Sequence, residues 1–402
     1  MRTVELNLIY TLLLAVLVYF AGQALASRVA LLRRFSIPAP VVGGCLVAVV
    51  LALADGLLHT RVAFTMTLKD PLLQVFFATV GLSADVRMLV KGGPRLLVFL
   101  GVGAAFIVVQ NAIGLVAARL LDLHPIVGLL GGSITLTGGH GTGAAYAGRF
   151  GETMNLQSAM ELTMASATAG LVIGAVVGGP LAEYLIRRHR LAGPSAEAAE
   201  QVEAATTEEE GPATVTSLLG GLLAILVCLA GGQAFVRLMA DARFILPDFV
   251  WCLLIGLVIR NVSTFTGLYR LHAESVDLLG GMALSLFLVM ALMSMKLLDL
   301  LNLAGPLLVI LAVQTVAILL YAGLVTFRIM GRNYDAAVMA AGHIGFGMSS
   351  TACALAIMKA VTERHGPSPL AFLIVPMVGA FFIDITNAFI IQGYLALPAF
   401  GF

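Results

Sequence analysis

Residues 131–143 read Gly-Gly-Ser-Ile-Thr-Leu-Thr-Gly-Gly-His-Gly-Thr-Gly, which is too rich in small polar residues for an ordinary lipid-facing helix. A second stretch of the same character, residues 342–351, reads Gly-His-Ile-Gly-Phe-Gly-Met-Ser-Ser-Thr. Both lie among apolar residues, yet glycine, hydroxyl and histidine side chains dominate their centres. Non-helical backbone at membrane depth persists only where it is buried in protein or lines a wet cavity. We therefore predict two re-entrant hairpins, near residues 125–146 and 335–358.

The composition around these stretches is that of a membrane protein. Of the 402 residues, 60% are hydrophobic and 11% are charged, whereas a soluble domain carries roughly 25% charged residues. This composition excludes an ordinary cytoplasmic enzyme. The net charge of +1 provides no basic face for a nucleic acid. The four cysteines form no CxxC pair and are expected to be small buried hydrophobes.

Ten further segments have about the 20 apolar residues that a membrane span needs. They lie near residues 6–26, 38–58, 71–90, 95–118, 158–186, 217–240, 247–265, 279–298, 305–328 and 369–397. Between the fifth and sixth, residues 191–216 contain six glutamates and no lysine or arginine, which predicts a solvated linker. The sequence thus predicts an all-α polytopic membrane protein with ten spans and two hairpins.

The basic residues predict the orientation of the chain in the membrane. Arg28, Arg33 and Arg34 follow the first apolar segment, so this segment is interpreted as a retained span and not as a signal peptide. If the N-terminus is outside, most of the 23 lysine and arginine residues face the cytoplasm. The positive-inside rule therefore places both termini in the periplasm and the acidic linker in the cytoplasm.

The two halves of the chain, residues 1–190 and 217–402, resemble each other at a spacing of about 210 residues. Ile37-Pro38 is matched by Leu246-Pro247, and Gly93-Pro94 is matched by Gly305-Pro306. With five spans in each half, the second half must be inserted upside down relative to the first. Inverted repeats are typical of secondary transporters, and a chance match of common membrane residues is the alternative.

Polar residues inside the predicted spans are candidates for an ion site. Asp384 lies deep in the last span, Glu161 lies near the outer end of the fifth, where that span begins, and Gln110 and Asn111 are adjacent in the fourth. An intramembrane carboxylate is costly, and it indicates either function or a buried structural partner. Hydroxyls and carbonyls suit an alkali cation, and backbone N–H groups at a broken helix attract a carboxylate.

Two sets of candidate residues follow. The predicted sodium ligands are Asp384, Asn387, Gln110, Asn111 and Glu161. The predicted substrate-binding residues are Ser133, Thr135, Thr137, Gly138, Gly139, His140, Gly141, Thr142, His343, Gly345, Gly347, Ser349, Ser350 and Thr351. The alternative for the glycines is close helix packing, and for the adjacent amides it is hydrogen bonding to neighbouring helices.

Several longer motifs make the chain similar to one family. They are Asp70-Pro71-Leu72, Gln110-Asn111-Ala112-Ile113-Gly114, Gly132-Ser133-Ile134-Thr135-Leu136, Gly138-Gly139-His140-Gly141-Thr142-Gly143, Asn333-Tyr334-Asp335 and Val375-Pro376-Met377-Val378-Gly379-Ala380-Phe381-Phe382-Ile383-Asp384. Over nearly its full length the chain resembles the bacterial sodium/glutamate symporters. It departs from their pattern at Ala352, where they tend to have proline, and at Ile357, where they tend to have asparagine.

The resemblance implies sodium-coupled uptake of L-glutamate across the inner membrane by a homodimer. It implies no enzymatic activity and no cofactor besides Na+ as the coupling ion. It also implies an elevator mechanism, in which spans 1, 2, 6 and 7 form a scaffold while spans 3–5, 8–10 and the hairpins carry the site. The alternatives are a symporter of another small anion, such as a dicarboxylate, and a passive channel.

Overall fold

The structure of the chain is a computed structural model, and it describes residues 2–30, 32, 37–58, 60–154, 158–193, 212–239, 247–267, 269, 271–293 and 304–397. Eight helices in these residues are long and apolar enough to cross a membrane. They are Leu8–Arg28, Gly93–Leu120, Ala159–His189, Val215–Leu238, Asp248–Thr266, Ala273–Met293, Ala304–Ile329 and Pro369–Leu395. The prediction of a helical polytopic membrane protein is confirmed.

In chain order the elements are β1 (Arg2–Leu6), α1 (Leu8–Arg28), α2 (Ala39–Leu58), β2 (Thr60–Phe64), α3 (Lys69–Ser83), α4 (Arg87–Leu120), α5 (Pro125–Leu130), α6 (Ser133–Leu136), α7 (Gly139–Met154), α8 (Ala159–His189), α9 (Val215–Leu238), α10 (Asp248–Thr266), α11 (Ala273–Met293), α12 (Ala304–Tyr321), a π-helical turn (Ala322–Thr326), α13 (Phe327–Ile329), α14 (Tyr334–Met348), α15 (Thr351–His365), α16 (Pro369–Met377), a second π-helical turn (Val378–Phe382) and α17 (Ile383–Leu395).

Side-chain caps fix where several helices begin. The Asn7 side chain accepts a hydrogen bond from the Tyr10 backbone N–H at the start of α1. Thr214 and Ser217 form a reciprocal capping box at the start of α9, and Asn333 accepts from the Ala336 N–H at the start of α14. Such caps satisfy N–H groups that have no partner inside the helix.

The first of two compact units consists of Met1–Ala84, Gly143–Met164 and Pro212–Gly305. It contains two clusters of buried apolar side chains. One cluster joins α1 and α11 through Ala15, Val18, Val289, Met290 and Met293. The other joins α3, α9, α10 and α11 through Ala78, Leu82, Ala224, Ile225, Cys228, Cys252, Leu271 and Val276. All four cysteines of the chain are free thiols.

The second unit consists of Asp85–Thr142, Ala165–Gly211 and Pro306–Phe402. Its core is aromatic: the Phe99 and Phe346 rings meet edge to face at 5.9 Å, and Phe106 lies 5.0 Å from Tyr321. The α4 and α5 backbones touch at Gly114 and Gly128, where a Cβ built on Gly114 would lie 2.1 Å from the Gly128 oxygen. This close crossing positions the polar residues described below.

Three expectations need correction. Strands β1 and β2 form a two-stranded parallel ribbon that the all-α prediction omitted. The predicted third span, 71–90, is too long, because α3 ends at Ser83 and the Asp85 carboxylate accepts from the Arg87 N–H before α4. The third and eighth spans, observed as α3 and α11, pack in the first unit with spans 1, 2, 6 and 7 and not with the predicted transport part. The acidic stretch 194–211 lies outside the described residues.

Candidate functional site

Both predicted hairpins are interrupted helices. In the first, α5, α6 and α7 are short pieces, and Thr137-Gly138 separates α6 from α7; we refer to this link as the first break. In the second, Ser349-Ser350 separates α14 from α15, and we refer to it as the second break. The Ser350 side chain accepts from the Cys353 N–H and caps α15. Each break therefore ends one helix and begins another inside the second unit.

The two breaks lie against each other. Gly139, the first residue of α7, has φ +66°, a left-handed conformation that favours glycine. A Cβ built on Gly139 would lie 3.1 Å from the Ser349 carbonyl oxygen. Because of this contact and the left-handed backbone, a side chain at residue 139 would press against the second break. Glycine is therefore the residue that suits this position.

Gln110 of α4 joins the two breaks by hydrogen bonds. The Thr137 hydroxyl donates to Gln110 Oε1 at 2.7 Å. Gln110 Nε2 donates to the Gly347 carbonyl at 2.9 Å. Gln110 has no exposed surface, so these bonds form in a medium with little water. Both polar atoms of its side chain are engaged.

Ser133 is the centre of a second polar group, which we call the Ser133 cluster: Asn111, Ser133 and Asn387. Asn111 Oδ1 accepts from the Ser133 N–H at 3.0 Å, and Asn387 Nδ2 donates to the Ser133 carbonyl at 3.0 Å. All three residues are buried, with at most 1% of their surface exposed. The cluster brings α4, α6 and α17 to one point.

Each residue of the Ser133 cluster also has one buried polar atom without a hydrogen-bond partner among the described residues. These atoms are Asn111 Nδ2, Ser133 Oγ and Asn387 Oδ1. Leaving a buried polar group unpaired costs about 1–3 kcal/mol. The three atoms belong to residues that are joined through Ser133, so the cluster is a candidate ligand site. Two are oxygen acceptors, which suit a hard cation, and the amide N–H donor suits an anion or water beside it.

Asp384 lies three residues before Asn387 in α17, so both side chains are on the same helix face. Asp384 is half-buried, and only Ile383 separates it from the second π-helical turn. In sequence it is therefore the predicted carboxylate nearest to Asn387 of the Ser133 cluster. Glu161, the other predicted carboxylate, is buried in the first unit, near the start of α8.

Two further predicted residues, Thr135 and His140, are hydrogen-bonded elsewhere in the second unit. Thr135 donates to the Leu130 carbonyl and contacts Ser166 Oγ at 2.9 Å. His140 Nε2 lies 3.0 Å from Thr168 Oγ1. Ser166 and Thr168 of α8 were missed by the sequence reasoning, although hydroxyl residues within an apolar span are a usable signal.

His343 occupies an aromatic pocket. Its Nδ1 lies 2.8 Å from Thr326 Oγ1 in the first π-helical turn. The rings of Phe99, Phe106 and Phe346 lie 5.0–5.9 Å from the imidazole. This environment is that of a histidine packed in the core.

The predicted glycines of the second hairpin serve close packing. A Cβ built on Gly345 would lie 2.3 Å from Ala354 Cα, so α14 and α15 pack backbone to backbone. A Cβ on Gly347 would lie 2.7 Å from Ile318 Cδ1 of α12. Ile357, where the chain departs from the pattern it resembles, is buried and reaches Gly178 of α8.

Comparison with known proteins gives matches along almost the entire chain. A sequence model described as sodium/glutamate symporter matches residues 4–367. A protein named sodium/glutamate symporter from Escherichia coli strain K12 is 47% identical over 399 residues, covering 99% of both chains, and one from Shigella flexneri matches equally. A protein of the same name from Haemophilus influenzae is 43% identical over 385 residues, covering 95% of both chains.

Proposed function

The chain belongs to the sodium/glutamate symporter family, and from this premise we propose that it carries L-glutamate into the cell together with sodium ions. The observation that supports this function in the structure is the pair of touching helix breaks beside the Ser133 cluster. Helix breaks supply unpaired backbone groups for a charged substrate. The protein is a transporter and not an enzyme.

Sodium, in this proposal, binds at the Ser133 cluster. Ser133 Oγ and Asn387 Oδ1 are its side-chain ligands, and Asp384 supplies negative charge from the same face of α17. Asn111 Nδ2 donates to a water or carboxylate next to the ion. Glutamate binds at the second break, where the half-buried Ser350 and Thr351 begin α15 and its backbone N–H groups attract a carboxylate.

We also propose that the two halves are inverted repeats, as the helix crossings suggest. In the first half, a Cβ on Gly22 of α1 would lie 2.7 Å from the Gly43 nitrogen of α2. In the second half, a Cβ on Gly232 of α9 would lie 2.8 Å from Cys252 Sγ of α10. Corresponding residues of these two crossings are about 210 positions apart, the spacing of the sequence repeat.

Two helix crossings between the halves are also related by the spacing of about 210 residues. A Cβ on Gly81 of α3 would lie 2.1 Å from the Leu253 oxygen of α10, and one on Gly44 of α2 would lie 2.5 Å from Leu292 Cβ of α11. At the repeat spacing of about 210 residues, Gly44 corresponds to Leu253, and Gly81 corresponds approximately to Leu292. The partners thus exchange between the halves, as a pseudo-two-fold axis requires.

We propose an elevator mechanism in which the first unit is the scaffold and the second unit carries the site, and the repeat supports this proposal. Each unit takes matching segments from both halves: Met1–Ala84 with Pro212–Gly305, and Asp85–Thr142 with Pro306–Phe402. This division supports two rigid parts related by internal symmetry. We further propose a homodimer in the lipid bilayer of the inner membrane with both termini in the periplasm, on the basis of the family and the distribution of basic residues.

The purified protein in liposomes is expected to accumulate labelled glutamate when an inward sodium gradient is imposed. The gradient supplies the driving force, so replacing external sodium by potassium or choline abolishes accumulation. Excess unlabelled glutamate suppresses the signal more strongly than malate does. Equal uptake in all three salts would exclude sodium coupling, and stronger competition by malate would favour the dicarboxylate alternative.

The variant Asp384→Asn is expected to raise the sodium concentration for half-maximal uptake by about tenfold or more, because it removes a negative charge near the cation. Its yield and melting temperature stay close to those of the unmodified protein. Sodium titrations of uptake, run beside a melting curve for each protein, test this. Unchanged sodium activation would remove Asp384 from the site.

A further inference from the structure

Gln110 is held in one conformation by three hydrogen bonds. Its side chain accepts from the Thr137 hydroxyl at the first break and donates to the Gly347 carbonyl at the end of α14. Its backbone carbonyl accepts from Gln314 Nε2 of α12 at 2.8 Å. The side-chain amide is bonded to both breaks, so a displacement of one break is transmitted to the other.

The two partners of the Gln110 side chain belong to opposite breaks: one is the Thr137 hydroxyl and the other is the Gly347 backbone carbonyl. Gly347 lies in the last turn of α14, where carbonyl groups have no partner within the helix. Thr137 lies between α6 and the left-handed Gly139. The amide therefore satisfies a carbonyl at the end of α14, holds the Thr137 hydroxyl at the first break, and sets the relative position of the two breaks.

A continuous path leads from the Ser133 cluster to Gln110. The Ser133 carbonyl, which accepts from Asn387, also accepts from the N–H groups of Thr137 and Gly138. Helix α6 has four residues, so its first residue, Ser133, and Thr137 immediately after it move together. From Thr137 the path continues through Gln110 to Gly347, two residues before the second break.

We propose that Gln110 is a positioning residue that makes glutamate affinity at the second break depend on sodium at the Ser133 cluster. This inference rests on the proposed function. In this proposal Gln110 acts through the residues to which it is bonded, Thr137 and Gly347, and not as a ligand of substrate or ion. Sodium fixes Ser133 and hence Thr137, and the amide passes this ordering to Gly347 and to the start of α15. By linkage, glutamate raises sodium affinity through the same bonds by the same factor.

Binding measurements on the purified full-length protein test the proposal. The dissociation constant of glutamate is measured at low and at saturating sodium, and that of sodium with and without glutamate. The ratio of the paired constants is the coupling factor, which for allosteric pairs is typically about 5–150. We expect a factor in this range for the unmodified protein and a factor near one for Gln110→Met, whose affinity for sodium alone changes by no more than about threefold.

Thr137 provides a matched pair of variants. Thr137→Val removes the hydroxyl at nearly constant volume and is expected to lose the coupling, whereas Thr137→Ser retains the donor and keeps it. Gln110→Glu keeps the acceptor for Thr137 and loses the donor to Gly347, so it also loses coupling. The double variant Gln110→Met, Thr137→Val is expected to lose no more of the coupling factor than either single variant, because both substitutions interrupt the same chain of hydrogen bonds. Thr315→Val, which deletes a hydroxyl bonded only locally to Leu311, is the control for folding.

Three results would overturn the proposal: an unchanged coupling factor in Gln110→Met or Thr137→Val, an equal fall of both affinities at constant factor, or additive losses in the double variant. If Gln110→Met does not yield folded protein, Thr137→Val and Thr137→Ser decide the question. Failure of the proposed function looks different, since the unmodified protein would then bind glutamate with no dependence on sodium.

Discussion

Ser133→Ala is expected to raise the sodium concentration for half-maximal glutamate uptake by about 10- to 100-fold, since a bond to a charged group contributes about 1.5–3 kcal/mol. The substitution deletes only Ser133 Oγ, which has no partner among the described residues. The backbone bonds to Asn111 and Asn387 remain in place. The change therefore isolates one of the two side-chain oxygens that the sodium proposal assigns as ligands.

If the Ser133 hydroxyl had a structural role instead, its removal would lower the melting temperature. Because the hydroxyl is buried and unpaired among the described residues, its removal relieves a desolvation cost. We therefore expect the sodium-free variant to melt at the same temperature as the unmodified protein or higher. Asn387→Leu is a second test of the sodium site, because it removes the Asn387 side-chain oxygen and also the hydrogen bond to the Ser133 carbonyl. It is expected to lose both sodium activation and stability.

Ser166→Ala is the matched control. Ser166 is also fully buried in the second unit, but its hydroxyl is paired with Thr135 Oγ1. Its loss lowers the melting temperature and leaves the sodium dependence unchanged. The sodium proposal fails if Ser133→Ala and Ser166→Ala behave alike in the uptake titration.

Both helix interruptions fall inside the segments for which the sequence predicts re-entrant hairpins, because their cause is local. Glycine and hydroxyl residues around Gly139 and Ser349 interrupt an apolar helix wherever it packs, so composition is sufficient to locate both breaks. The end of α3 was predicted seven residues late, at 90 instead of Ser83, because the apolar run continues and only the Asp85 carboxylate marks the change.

The assembly of the site was beyond sequence reasoning. Ser133 and Asn387 are 254 positions apart, and no spacing rule connects them. Gln110 and Asn111 were predicted together as ligands, yet adjacent helical residues point in different directions. The structure directs Gln110 to the two breaks and Asn111 to Ser133. The small ribbon β1–β2 was missed because its short strands pair only with each other.

Gly114→Val is expected to abolish folded protein, with a loss of stability of at least about 3 kcal/mol. A Cβ at residue 114 would lie 2.1 Å from the Gly128 carbonyl oxygen, and one at residue 128 would lie 2.3 Å from the Gly114 oxygen. Both obstacles are backbone atoms, so no side-chain rotation relieves the clash. Separation of α4 from α5 also moves Asn111 away from Ser133, which follows α5 directly.

Gly101→Ala in the same helix is the control, since a Cβ there has no atom within 4 Å. Alanine favours helix over glycine by about 1 kcal/mol, so this variant is expected to be as stable as the unmodified protein or more so. Size-exclusion profiles and melting curves in detergent compare the two variants. A folded, sodium-responsive Gly114→Val protein would show that α4 and α5 do not cross at these glycines, and the Ser133 cluster would then lose the helix contact that builds it.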